Sequence, residues 1–129
     1  MKLRQENPKK QGDIGLGAAI GWFTLQGYTV CVPLTDSQAY DLVVDGPDGI
    51  QRVQVKTTTY QDESGAYQAH LRVNGGNRSG TGKSKHFSKQ DADMLFILCE
   101  SGDQYLVPAE LVDGQAMMNL GEKYKEYKI

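Results

Sequence analysis

The chain has 129 residues, 39% of them hydrophobic, and a formal net charge of −2 at pH 7. That length suits one domain, large enough to bury a core without disulfide or metal staples. The slightly acidic balance excludes a general polyanion binder but leaves room for local basic patches, and the absence of a CxxC among only two cysteines excludes a disulfide framework.

Those cysteines, Cys31 and Cys99, both sit in apolar strand-like runs. They read as buried, reduced thiols of a cytosolic protein. The opening MKLRQENPKK lacks the apolar core of a signal peptide. No apolar run reaches ~18 residues, so no membrane partner is expected and the expected location is cytoplasmic.

Met1 to Lys10 is polar and basic, and reads as a flexible arm, frayed or in contact with phosphate, ahead of a single domain over 11–129. Gln11 to Gln26 reads as a helix, with Ile14, Ala18, Gly21, Trp22 and Leu25 at helical spacing and Gly27 as its C-cap. Gly15, Gly17 and Gly21 each cost about 1 kcal/mol of helix propensity relative to alanine. A helix so rich in glycine needs close packing on a sheet. The glycine spacing does not make a dinucleotide fingerprint, because no strand precedes it.

Tyr28 to Pro33 reads as a strand. Tyr40 to Asp45 and Ile50 to Tyr60 read as a hairpin around the turn residues Gly46-Pro47-Asp48-Gly49. Ala66 to Val73 alternates, with Tyr67, Ala69, Leu71 and Val73 on one face and Gln68, His70 and Arg72 on the other. From Ser64 to Gln90 no acidic residue occurs, while Arg72, Arg78, Lys83, Lys85 and Lys89 are basic. This segment is either a solvated loop or a phosphate-tracking one, with His86 a surface histidine or a further phosphate contact. Its GTGKS is not a P-loop, since Asn77 stands where the first glycine is required. Ala92 to Cys99 is a continuous apolar run and reads as a buried strand; Gln104 to Pro108 is another. Glu110 to Leu120 is irregular or short helix, and the tail is strand or helix.

The hairpin carries the chemistry. Pairing Asp45 with Ile50 sets Asp41 opposite Gln54, with Cβ atoms of such partners roughly 5 Å apart. Lys56 lies two residues on, on the same face. A carboxylate and an amide oxygen are hard donors suited to Mg²⁺, and the Val55 carbonyl offers a third oxygen. A lysine beside them can position water and stabilise charge growing on a phosphate. The alternative is a solvent-exposed face with a loose Asp41–Lys56 ion pair worth about 0–1 kcal/mol.

With QGDIG at Gln11–Gly15, GYTVCVP at Gly27–Pro33, YDLVVD at Tyr40–Asp45, RVQVKTT at Arg52–Thr58 and then DADMLFIL and YLVPAE, the chain resembles the PD-(D/E)XK nuclease superfamily. Within it, the chain is most similar to small intron-encoded homing-type endonucleases and also resembles archaeal Holliday-junction resolvases. The resemblance implies an α/β fold with a restriction-endonuclease-like core, a mixed central β-sheet with the N-terminal helix packed on it. It implies a metal-dependent DNA endonuclease that hydrolyses phosphodiester bonds, using Mg²⁺ with Mn²⁺ able to substitute. Double-stranded or branched DNA is the implied partner, and a dimer or tetramer the implied assembly.

Carried over, Asp41 is the principal metal ligand, Gln54 stands where most relatives have Glu or Asp, and Lys56 is the catalytic lysine. Many relatives also carry a helix glutamate, at the position of Leu16 here. Asp13 either replaces it as a ligand or simply favours the helix N-terminus. The resemblance leaves open a junction resolvase and a catalytically inactive DNA-binding module.

Overall fold

A computed structural model describes residues 2–74 and 84–129. Helix α1 (Pro8–Leu25) is followed by β1 (Thr29–Cys31), β2 (Leu42–Gly46) and β3 (Gly49–Thr58). After them come β4 (Tyr67–His70), β5 (Val73–Asn74), β6 (Ser84–Lys85), β7 (Met94–Cys99) and β8 (Gln104–Pro108). A 3₁₀ turn (Ala109–Val112), β9 (Met117–Leu120) and a 3₁₀ segment (Glu122–Tyr127) complete the chain. The central sheet has the order β1-β2-β3-β7-β8. It is mixed, as expected: β3 and β7 run parallel and the other neighbours antiparallel.

Helix α1 starts at Pro8, three residues before the expected start. Asn7 is the N-cap: its side chain accepts the Lys9 N–H at 2.9 Å, and Pro8 fills the first helical position, where no N–H is needed. Leu3 is fully buried, so the basic arm expected over residues 1–10 is in part docked on the core. The helix ends in a Schellman motif. The Tyr28 N–H reaches the Phe23 carbonyl, the Gly27 N–H reaches the Thr24 carbonyl, and Gly27 takes φ +90. The Tyr28 and Phe23 rings close the motif edge to face at 5.0 Å.

The face of α1 that meets the sheet is centred on Gly15, Ala19 and Phe23, flanked by Ile14, Ala18 and Trp22. This corrects the stripe read from the sequence, since Gly21 is exposed and Leu25 is 85% exposed. The run from Ile14 to Phe23 is apolar nearly all round, so periodicity left the rotation of the helix undecided. The glycine-rich packing is as expected at one point. A Cβ on Gly15 would lie 2.5 Å from Thr57 Cγ2, so the helix comes down on β3 more closely than a side chain allows.

The hairpin register is the expected one, with Asp45 opposite Ile50 and Leu42 opposite Val53. Odd positions of β3, Val53 and Val55, face α1 with Leu42, Val44, Phe96 and Leu98. On the other face Leu95, Ile97 and Cys99 of β7 form a second core with Ala69, Leu71, Phe87, Val107 and Val112. All six residues of β7 are buried, as a strand covered on both sides requires.

Two expectations change with topology. Ala66 to Val73, expected as one strand, is divided into β4 and β5, and neither joins the main sheet. β4 pairs with β9 in a separate ribbon, and β5 pairs with β6. Cys31 is exposed, not buried, because β1 is the edge strand. Cys99 is buried as expected. No helix among the described residues is long and apolar enough to cross a membrane.

Candidate active site

The site lies where β2 and β3 part. β2 pairs with β3 only as far as Leu42↔Val53, whereas β3 pairs with β7 as far as Thr58. Among the described residues, the last five residues of β3 therefore have no β-ladder partner on their β2 side. At the point of parting, the Asp41 N–H donates to the Val53 carbonyl at 2.8 Å. The Asp41 carboxylate then takes over from the main chain, with Oδ2 accepting the Val55 N–H at 2.8 Å. A strand residue presents N–H and C=O to the same edge, so the Val55 carbonyl also belongs to this open edge.

Gln54, opposite Asp41 across the hairpin, donates its Nε2–H to Asp41 Oδ2 at 3.2 Å. Its Oε1 is buried and has no hydrogen-bond partner among the described residues. Flipping the amide would set Oε1 against the carboxylate and strand the NH₂ group, so the orientation is fixed by its neighbour. Lys56 extends over the same face, and its Nζ donates to the Arg72 carbonyl at 2.9 Å.

Burial dominates the electrostatics. Desolvation raises the pKa of Asp41 above the usual carboxylate value; the Val55 N–H and the Lys56 charge offset this only in part. Desolvation likewise lowers the pKa of Lys56, against the opposing pull of Asp41. Each charge is thus held where water solvates it poorly, and the pair does not fully compensate.

A divalent cation fits what these residues present. One under-compensated carboxylate stands beside a buried amide oxygen that lacks a donor, and a backbone carbonyl shares their edge. Mg²⁺ binds to few protein oxygens and completes its shell with water or phosphate oxygens. Among the described residues no cluster of three or more His, Cys, Asp or Glu side chains is present, so the site is poor in carboxylates.

Supports hold the constellation in place. Arg52 donates from its main chain to Asp93 Oδ2 at 2.7 Å and pairs with Asp93 Oδ1 at 3.3 Å. Its guanidinium carbon lies 5.9 Å from the centre of the Tyr40 ring, next to Asp41 in the chain. On the other side, Gln11 Nε2 donates to Thr57 Oγ1 at 2.9 Å and Arg4 donates to Thr59 Oγ1 at 3.2 Å. Gln11 and Arg52 open two of the motifs that carry the resemblance and Arg4 lies in the basic arm, but their supporting contacts become visible only in the tertiary structure.

The remaining site candidates scatter. Asp13 is exposed, and two helical steps from Gly15 place it about 200° round the axis from the face that meets β3. The structure does not bring it to Asp41. Arg72 and His86 are adjacent to the site. Arg72 contacts His86 Nε2 at 3.4 Å, and His86 Nδ1 lies 3.0 Å from the Gly114 carbonyl. The neutral ring that donates from Nδ1 therefore accepts from Arg72. Lys85 is paired with Asp91 at 2.9 Å. Lys89 lines a groove with Asp48 and Gln51 at the turn end of the hairpin, the end away from Asp41. Arg78 and Lys83 lie outside the described residues.

Comparison with known proteins bears on the family and the fold. The solved structure of the bacterial homing endonuclease I-Ssp6803I matches with a TM-score of 0.72 and 28% identity, covering 91% of this chain and 80% of that one. Protein 5.3 of Escherichia phage T7 is 33% identical over 109 residues, 83% of this chain and 85% of its own length. The family model described as PD-(D/E)XK endonuclease matches residues 6–128. With the fold, the order of its motifs and nearly the whole length accounted for, the chain belongs to the PD-(D/E)XK endonuclease family.

Proposed function

We propose that this chain is a metal-dependent DNA endonuclease of homing or restriction type, hydrolysing phosphodiester bonds. The observation that carries the reading is the buried Gln54 Oε1, without a donor among the described residues, beside an Asp41 carboxylate that burial destabilises. Family membership and the likeness to a homing endonuclease support it.

Asp41, Gln54 Oε1 and the Val55 carbonyl would hold Mg²⁺, or Mn²⁺ in its place. When bound, such an ion acidifies a water and polarises the phosphate. Lys56 supplies a positive charge at the same face, oriented by the Arg72 carbonyl and available to developing phosphate charge. Arg72 lies next to it as a phosphate contact. Gln54 in place of a carboxylate leaves one negative charge fewer at the metal, hence weaker cation binding. A duplex has two strands to cut and the chain has one such site, so a homo-oligomer follows from two-fold logic.

A cleavage assay with supercoiled plasmid, linear duplex and four-way junction tests this. In Mg²⁺ or Mn²⁺ the wild-type chain cuts DNA, while Asp41→Asn and Lys56→Ala fold but do not cut. Preference for the junction would select a resolvase-type nuclease. The exposed position of Asp13 favours a second reading, a DNA-binding module that has kept the fold without catalysis. DNA binding with no cleavage of any substrate would establish that reading instead.

A further inference from the structure

We infer that the β4–β9 ribbon is the element that reads DNA sequence, entering the major groove of the duplex whose backbone lies at Asp41, Gln54 and Lys56. The inference rests on the endonuclease reading of that site and assigns it a recognition surface.

The ribbon has two unlike faces. Inward, Tyr67↔Leu120 and Ala69↔Met118 pack into the core. Outward, Gln68↔Asn119 and His70↔Met117 stand side by side as cross-strand pairs. The Leu71 N–H donates to the Ala116 carbonyl at 2.8 Å, so the same register continues and brings Arg72 level with Gln115. The outward face is therefore a ladder of Gln, Asn, His, Arg and Gln, with Met117 the one apolar member. These pairs contain no carboxylate; Asp62 lies at the far end, 3.5 Å from Asn119 Nδ2, and Glu122 with Lys123 lines the groove beside Gln68 and Asn119.

That composition matches base edges better than it matches a protein partner. Gln and Asn pair with adenine through two hydrogen bonds and Arg pairs with guanine, while a methionine suits the thymine methyl. A two-stranded ribbon, its strands about 5 Å apart, fits the ~12 Å major groove and not the ~6 Å minor groove. A partner strand cannot add at the other edge of β4. There the Gln68 N–H donates to the Tyr60 carbonyl, the Thr58 hydroxyl donates to the Gln68 carbonyl, and the Lys56 ammonium donates to the Arg72 carbonyl. These same bonds join the ribbon to the catalytic strand. The Arg72 end is the end at the site, so a duplex engaged there runs alongside the ladder.

Binding selection from a randomised duplex library, with the full chain in EDTA so that no metal-dependent cleavage occurs, tests the inference. The wild-type chain is expected to enrich a defined pattern. Gln68→Ala and Asn119→Ala, both away from the core, should relax it at one or two positions, by roughly 5- to 100-fold per base. Enrichment of no pattern by the wild type, or the same pattern in both variants at unchanged melting temperature, overturns the inference. Plasmid cleavage in Mg²⁺ separates it from the reading on which it rests. Cleavage with an unshifted pattern sinks the ribbon alone, and a shifted pattern without cleavage sinks the catalytic reading alone.

Discussion

The Asp41 carboxylate accepts the Val55 N–H at 2.8 Å, doing with a side chain what the next carbonyl of β2 would otherwise do. The β-ladder is thereby finished by a charged group, and the edge of β3 stays open beside it. The open edge is what gives the site access, and the low hydration of that edge is what makes its charges costly.

Asp41→Asn should therefore stabilise the metal-free protein while removing divalent cation binding. Asparagine can keep the bond from Val55 and dispenses with the poorly solvated charge. A higher melting temperature in EDTA, together with loss of the rise that Mg²⁺ gives the wild type, is the expected pair of results. A melting temperature in EDTA below the wild type would contradict the account of burial.

The pH dependence has a definite sign. The folded-state pKa of Asp41 is raised, so its protonated form favours folding. That contribution is present below the unfolded carboxylate pKa and is lost as pH rises through the folded value. Subtracting the Asp41→Asn stability profile from that of the wild type in EDTA should show this fall. Mg²⁺ affinity should rise over the same window, since the cation needs the carboxylate ionised.

Gln54→Glu restores a second carboxylate beside Asp41. Without metal the two like charges repel and the Gln54–Asp41 hydrogen bond is lost, so stability should drop. With Mg²⁺ the gain in melting temperature should exceed that of the wild type, because the second charge favours the cation. Thermal scans with and without metal check both halves.

Gly15→Ala would place a methyl group 2.5 Å from Thr57 Cγ2, on the strand that carries Gln54 and Lys56. Overpacking of this kind costs about 1–3 kcal/mol despite the better helix propensity of alanine. Gly17→Ala, with nothing within reach of its added Cβ, should be neutral or slightly stabilising. Denaturant titration of the two variants compares them directly.

The cysteines should react very differently. Cys31 is exposed on the edge strand, while Cys99 is buried and its thiol pKa is pushed up to about 12, chiefly by burial and further by Asp103. A thiol reagent at neutral pH should titrate one group rapidly and the second only on unfolding.

The sequence by itself determined the hairpin and what it carries. Gly46-Pro47-Asp48-Gly49 between β-branched runs sets one register, and register alone puts Asp41, Gln54 and Lys56 together. It also determined β7, whose unbroken apolar run has no solvent face to give it an alternation. Only the tertiary structure decided the rotation of α1, since a helix apolar on nearly all sides shows its packing face only when Gly15 meets Thr57. Only it could separate β4 from the main sheet, because alternation shows that a strand has one buried face but not which strand lies beside it. The charge balance of the site was likewise out of reach of the sequence. Desolvation depends on what stands around Asp41 and Lys56 in space, and burial of both groups is set only when the strands and Arg72 come together in the fold.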